Sequence, residues 1–415
     1  MAQPSSIPSH SEAKEPEGPG RRTALAVLAT ALLLSLTTWF SASAVIPQLR
    51  VEWGLSDAAA AWLTIAVQLG FVAGALVSSF FNVADIASPR VVFVAGALGA
   101  AGANGLLTVA GNASVGIPLR LATGFFLAGV YPPAMKLMAT WYRRDRGIAL
   151  GVLVGAITVG SAGPHLVNGL GGLDWKIVVY ATSLLTVAGG VIGYRVREGP
   201  HPFPPAVFDP RQARLAFANR GVRLASLGYF GHMWELFAMW AWFVVFFSDF
   251  LRSNGSDPGT KAAFATFVVI GIGGLGSWVA GILGDRWGRT RTTILMMVVS
   301  GTCSVLVGLL FAAPTWVVLA VSLAWGFAVV ADSAQFSTIV TELADQAYVG
   351  TALTLQLALG FTLTVVTIWL IPVLENAVGW EWAFAFLAPG PAAGIIAMLR
   401  LKASPDARLI AHGRG

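Results

Sequence analysis

TKAAFATFVVIGIGGLGSWVAGILGDRWGRTRTTILMMVVSGTCSVLVGLLFAA, residues 260–313, is the stretch on which the fold turns. Two apolar runs, 260–283 and 292–313, flank a short turn that gathers Asp285, Arg286, Arg289 and Arg291. A helix needs about 20 mainly apolar residues to cross a hydrocarbon core of roughly 30 Å, and each run supplies that length. The runs are continuous, whereas a membrane β-strand alternates apolar and polar residues over about ten positions. Outward in both directions the same unit recurs, at 23–48, 58–81, 90–110, 115–140, 147–170, 176–196, 222–248, 315–338, 348–374 and 380–400. The reading is an all-α membrane protein with twelve transmembrane helices.

Composition leads to the same class. Of 415 residues, 56% are apolar and 11% charged. An average soluble chain carries about 25% charged residues, so most of this surface meets lipid. Cys303 is the only cysteine, which excludes an intramolecular disulfide and a cysteine-based metal cluster. No metal and no cofactor are expected. No phosphate-binding G-x-x-x-x-G-K-[ST], H-E-x-x-H or G-x-S-x-G pattern occurs, so neither direct ATP use nor an enzyme is expected. The 47 glycines suit close approach of helices in a membrane bundle.

The polar stretches divide the chain. Residues 1–20 read as a disordered cytoplasmic tail, 21–196 as a six-helix bundle, 197–221 as a proline-rich basic cytoplasmic linker, 222–400 as a second bundle and 401–415 as a cytoplasmic tail. Arg21 and Arg22 before an apolar run resemble an export signal, but the run is too long for one, so the first helix is expected to stay. With the N-terminus inside, inward segments hold twenty Lys and Arg, and outward segments hold four: Arg50, Lys176, Arg252 and Lys261. The positive-inside rule then places both termini in the cytoplasm of a multi-pass inner (plasma) membrane protein. The same asymmetry explains the net charge of +6 without nucleic acid as a partner. Two matching halves suggest an internal duplication, which in transporters sets a solute site between the halves near the midplane.

Gly281-Ile-Leu-Gly284-Asp285-Arg286-Trp287-Gly288-Arg289 resembles the G-x-L-x-D-R-x-G-R signature of the major facilitator superfamily. After the second run, Asp85 and Arg90 remain without the glycines. Arg120-Leu-Ala-Thr-Gly124 is similar to the family's R-x-x-x-G element, and Gly160-Ser-Ala-Gly163-Pro164 to the G-P element of its antiporters. The resemblance implies two pseudo-symmetric six-helix bundles around a cavity lined by spans 1, 4, 7 and 10, working by alternating access. Asp85, Arg90, Asp285, Arg286, Gly288 and Arg289 are expected to form a cytoplasmic gate loop. There the acid would meet a helix N-terminus and the arginine a helix C-terminus.

Ionisable groups inside a bilayer cost at least roughly 2.5–3.5 kcal/mol each, so every one is a functional candidate. In span 7, Gly228, His232, Glu235, Met239 and Trp242 share a face about 80° wide at helical spacing. A carboxylate at that depth needs a partner or a proton. Glu235 is thus read either as the proton carrier or as one half of a structural lock with His232. In span 10, Trp325, Ala328, Asp332, Gln335 and Phe336 share a face, with Asp332 in solute contact, in coupling or in a latch. Arg120 either snorkels or, as the resemblance implies, faces the cavity. Lys136 is expected to snorkel, and His165 to pack or gate. Trp39, Ser41, Ser43, Gln68 and Gln356 supply neutral hydrogen-bonding groups. The expected function is a monomeric secondary transporter moving a small molecule with protons. Symport of a small organic anion is the first reading, on the cations Arg120 and Lys136. Proton-antiport efflux of drugs or metabolites is the second, and an uncoupled facilitator or a sensor the third.

Overall fold

The computed structural model describes residues 20–81, 83, 87–142, 146–170, 174–201, 217–345 and 349–415. The expected tail 1–19, Asp85 and the linker segment 202–216 lie outside the described residues. Among the described residues twelve helical spans follow one another. They are Arg21–Thr38, Asp57–Phe80, Pro89–Val109, Ala113–Ala139, Gly147–Gly169 and Trp175–Gly193, then Arg220–Ser253, Gly259–Trp287, Arg289–Leu309, Thr315–Leu343, Val349–Val378 and Trp380–Lys402. Their starts fall within three residues of those read from hydropathy. Helix entry is fixed by side-chain caps: Ser56 accepts from Ala59 N, Asn112 from Val115 N and Asn219 from Val222 N.

Burial is distributed as lipid demands. Leu98, Leu184, Leu227, Leu306, Val366 and Ile396 stand exposed on the outer surface, while Arg120, His165, His232, Glu235 and Asp332 are buried. The chain is a multi-pass membrane protein. The end holding the start of span 1, the C-terminal segment and most of the described arginines is called the basic end.

Several spans are broken. Span 1 runs as α-helix to Ser35, passes through 3-10 turns and resumes at Ile46–Trp53. Span 4 stops at Leu127 and resumes at Tyr131, where Pro132 and Pro133 need no intrahelical acceptor. Span 10 stops at Val329 and resumes at Ser333. Spans 4 and 10 each break after a first segment of 15 residues, so the two halves carry the interruption at the same place. Span 7 has none over its 34 residues.

Glycine sets the closest approaches, again in matched positions. A Cβ on Gly124 of span 4 would lie 2.0 Å from Val67 O of span 2, and one on Gly326 of span 10 would lie 1.8 Å from Val269 O of span 8. No side chain fits either crossing.

Candidate functional site

Span 7 organises the centre of the molecule. One side of it carries Phe237 and Trp240, which meet the first half of the chain. Phe237 lies 6.0 Å from Trp39, 6.1 Å from Phe40 and 5.1 Å from Phe361 between ring centroids, and Trp240 packs edge-on to Phe40 at 5.7 Å. Phe71 of span 2 closes the layer at 4.7 Å from Phe361 and 4.9 Å from Trp39. Spans 1, 2, 7 and 11 thus meet through an aromatic seam. Several buried polar groups have no hydrogen-bond partner among the described residues: Trp39 Nε1, Trp240 Nε1, both amide atoms of Gln68 and Gln356 Nε2. Both ring nitrogens of His165, in span 5, are likewise unpartnered.

The ionisable residues of span 7 point elsewhere. At 100° per residue Glu235 lies about 140–160° around the helix from Trp240 and Phe237. Glu235 Oε1 accepts from Trp325 Nε1 at 2.6 Å and Oε2 from Ser300 Oγ at 2.9 Å, so it is held by spans 9 and 10 of its own half. His232 Nδ1 lies 2.8 Å from Asp332 Oδ1, and both side chains are buried. Asp332 sits in the break of span 10, and the imidazole packs near the rings of Phe336 and Tyr229. The His232–Glu235 lock is therefore replaced by a His232–Asp332 pair. The polar face of span 7 is the inner face of its own bundle, because Glu235, His232 Nδ1 and Trp242 all meet neighbouring spans of that half, while His232 Nε2 is buried without a hydrogen-bond partner among the described residues. Trp242, on that face, donates to Ile368 O at 2.8 Å.

Arg120 neither snorkels nor faces the seam. Its Nη1 donates to Thr38 O at 2.9 Å, Ser41 Oγ at 3.1 Å and Asn104 Oδ1 at 2.9 Å; Nη2 donates to Trp39 O, and Nε to Leu63 O at 3.4 Å. The carbonyls freed by the break in span 1 are the groups it satisfies. Ser43 shares a 2.7 Å hydrogen bond with Thr64 of span 2.

At the basic end a second cluster forms. Arg289 donates to Glu342 Oε1 at 2.8 Å, Asp285 Oδ1 at 3.2 Å and Gln335 Oε1 at 3.1 Å, while Gln335 Nε2 donates to Ala280 O. Gln335 thus belongs to this cluster and not to a patch with Asp332. The Asp285 carboxylate crosses to the other half: a Cβ on Gly147, in the first turn of span 5, would lie 2.6 Å from Oδ1. Ala411 N donates to Glu342 Oε2 and Arg414 Nη1 to Asp285 O, so the C-terminal segment covers the turn. Gly288 adopts φ 104° beneath Arg414 O, a backbone only glycine takes readily. Arg286 is exposed, and Arg90 lies over the Tyr194 ring, apart from this cluster.

The sequence model of the Major Facilitator Superfamily matches residues 28–275. The chain belongs to the major facilitator superfamily. A second model, described as Sugar (and other) transporter, matches residues 226–410. A puromycin resistance protein of Streptomyces alboniger is 30% identical over 184 residues, covering 43% of this chain and 36% of that relative. An MFS transporter of Aspergillus flavus is 25% identical over 186 residues, covering 42% and 39%. The matched stretch therefore spans little more than a third of these curated relatives. The crystal structure of a bacterial homologue of the human lysosomal transporter Spinster, inward-facing and unoccupied, aligns at a TM-score of 0.64. It is 15% identical and covers 93% of this chain and 96% of that one. The fold is that of a major facilitator transporter with twelve helices.

In this facilitator the structure brings His232 to Asp332, Gln335 to Arg289, and Trp39 to the Phe71 ring. It separates Glu235 from His232 and Arg120 from the seam. Sequence reading missed Glu342, Ser300, Asn104 and the C-terminal segment. Glu342 carried a signal, a lone acid at the end of span 10 opposite the arginines of the next inward turn. Asn104 and Ser300 carried none, since neutral polar residues are common in membrane helices.

Proposed function

We propose that this protein exports a flat, largely apolar organic solute in exchange for protons. The cargo is held at the aromatic seam and the proton on the His232–Asp332 pair. The carrying observation is the seam: rings from spans 1, 2, 7 and 11, with indole and amide groups that have no protein partner. Such a wall suits aromatic stacking with a few hydrogen bonds. Symport of an organic anion rested on Arg120 and Lys136, and it loses its support because the Arg120 fork is spent on backbone carbonyls. Similarity to a puromycin resistance protein supports export over uptake. A buried charge is costly in a dry bundle unless it is paired, and the close contact of His232 with Asp332 supports this pair as the place of the proton. The charge asymmetry of the loops supports a plasma-membrane orientation with the basic end in the cytoplasm. The protein acts as a monomer of two bundles, 21–196 and 222–400, joined by the linker 197–221.

The test is transport by the purified chain in proteoliposomes with an acidic lumen. Puromycin should accumulate inside while the lumen turns alkaline, and a protonophore should collapse both signals. Accumulation of carboxylates with exclusion of puromycin would restore the anion reading. Puromycin flux indifferent to the protonophore would leave an uncoupled facilitator.

A further inference from the structure

Where span 7 begins, against the last turns of span 12, a cavity of about 330 Å³ opens on the outer surface. Its rim holds Arg220, Arg223 and Arg400, its wall Leu227 and Phe230, and it reaches Ser226. Arg223 Nη1 donates to the carbonyls of Phe217 and Ala218 at 3.3 and 3.4 Å, which folds the guanidinium back over the mouth. Ser226 is 1% exposed, and its hydroxyl has no hydrogen-bond partner among the described residues. Leu227 is 52% exposed on the apolar belt. Among the described residues no carboxylate lines the cavity; Asp406 approaches Gly221 instead.

We propose that this cavity is a binding site for the headgroup of an anionic phospholipid from the leaflet at the basic end. Three guanidinium groups around the mouth, with no acid among its described lining residues, attract a phosphate and can grip its oxygens in pairs. A soluble phosphate compound would gain nothing from an apolar wall continuous with the lipid-facing surface. A phospholipid gains from both, its phosphate at the arginines and its first acyl carbons along Leu227 and Phe230. The buried serine hydroxyl lies two turns into the helix, where a glycerol or headgroup oxygen would meet it. The site is separate from the seam and does not depend on the cargo.

The full chain is reconstituted in nanodiscs of phosphatidylcholine with a minor share of phosphatidylglycerol, and co-purified lipid is counted by native mass spectrometry after extraction. The unaltered protein should retain phosphatidylglycerol over phosphatidylcholine. The triple variant Arg220→Gln, Arg223→Gln, Arg400→Gln should lose that preference, by about tenfold or more in affinity. A variant with Arg195, Arg291 and Arg408 changed to Gln removes equal charge from exposed positions elsewhere and should keep it. Ser226→Ala, small and buried, should weaken retention by a few-fold without loss of fold, and answers the question if the triple variant fails to fold. Equal retention by the unaltered and the triple or serine variants would overturn the proposal. So would equal loss in both triple variants, or displacement of the lipid by millimolar inorganic phosphate, which would mark a soluble-anion site.

Discussion

The proposed exchange places its proton on a buried imidazole 2.8 Å from a buried carboxylate, on helices that meet beside a break. His232→Gln and Asp332→Asn each remove one side of that pair. Both variants should bind puromycin yet lose the lumen alkalinisation that accompanies its transport. Glu235→Gln keeps an oxygen for the Trp325 indole and an amide for Ser300, so it should retain coupled transport. Loss in the Glu235 variant alone would move the proton to that residue. That His232, Glu235 and Asp332 are candidates was legible, because ionisable groups are rare in spans. Their pairing was not, since it depends on how span 7 is rotated against span 10. Polarity misled on that point: polar residues turned into their own bundle, where partners exist, and aromatic residues faced the seam. Arg120 gives a second prediction. Arg120→Gln strips the donors that hold the Trp39 carbonyl and Asn104 Oδ1 at the break in span 1, at about 1–3 kcal/mol for each group left stranded. The purified variant should unfold at a lower temperature even without solute, whereas a purely solute-binding arginine would leave the melting curve unmoved.

At the scale of elements, hydropathy located every span, because crossing lipid demands about 20 apolar residues whatever the neighbours. The breaks were less legible. Pro132 and Pro133 mark the one in span 4, but nothing in Val330-Ala331-Asp332 announces the one in span 10. That break becomes evident only when its residues are seen in a turn between two helical segments, with Asp332 turned to His232. Glycine crossings show the same limit, since 47 glycines do not reveal which ones touch backbone. Gly326→Ala should cost about 1–3 kcal/mol by overpacking against Val269 O and lower the yield of folded protein. Gly102→Ala in span 3 has open space around the added methyl and should match or exceed the unaltered protein in a thermal unfolding assay. Equal behaviour of the two variants would mean that spans 8 and 10 are not seated on Gly326.

For the whole molecule, alternating access requires that contacts between the halves at one end break while those at the other hold. The structure has both sets made. At the basic end Ser79 Oγ of span 2 lies 3.3 Å from Thr354 Oγ1 of span 11, and Asp285 meets the first turn of span 5. At the opposite end Asn376 Nδ2 lies 3.4 Å from Asp57 Oδ2, and the aromatic seam fills the layer between. With the halves in contact at both ends, the proposed export requires spans 2 and 11 to part at the basic end to admit solute from that side. Cys303 is the only native thiol, so a Cys303→Ser background carries no competing cross-link. With Ser79→Cys and Thr354→Cys added, the hydroxyl separation places the new thiols close enough for a disulfide, which spans about 5.5 Å between Cα atoms. Oxidation should stop proteoliposome transport and reduction should restore it, while either single cysteine variant responds to neither. Full transport by the cross-linked protein would mean that spans 2 and 11 stay together through the cycle, and the moving contact would have to be sought between spans 5 and 8.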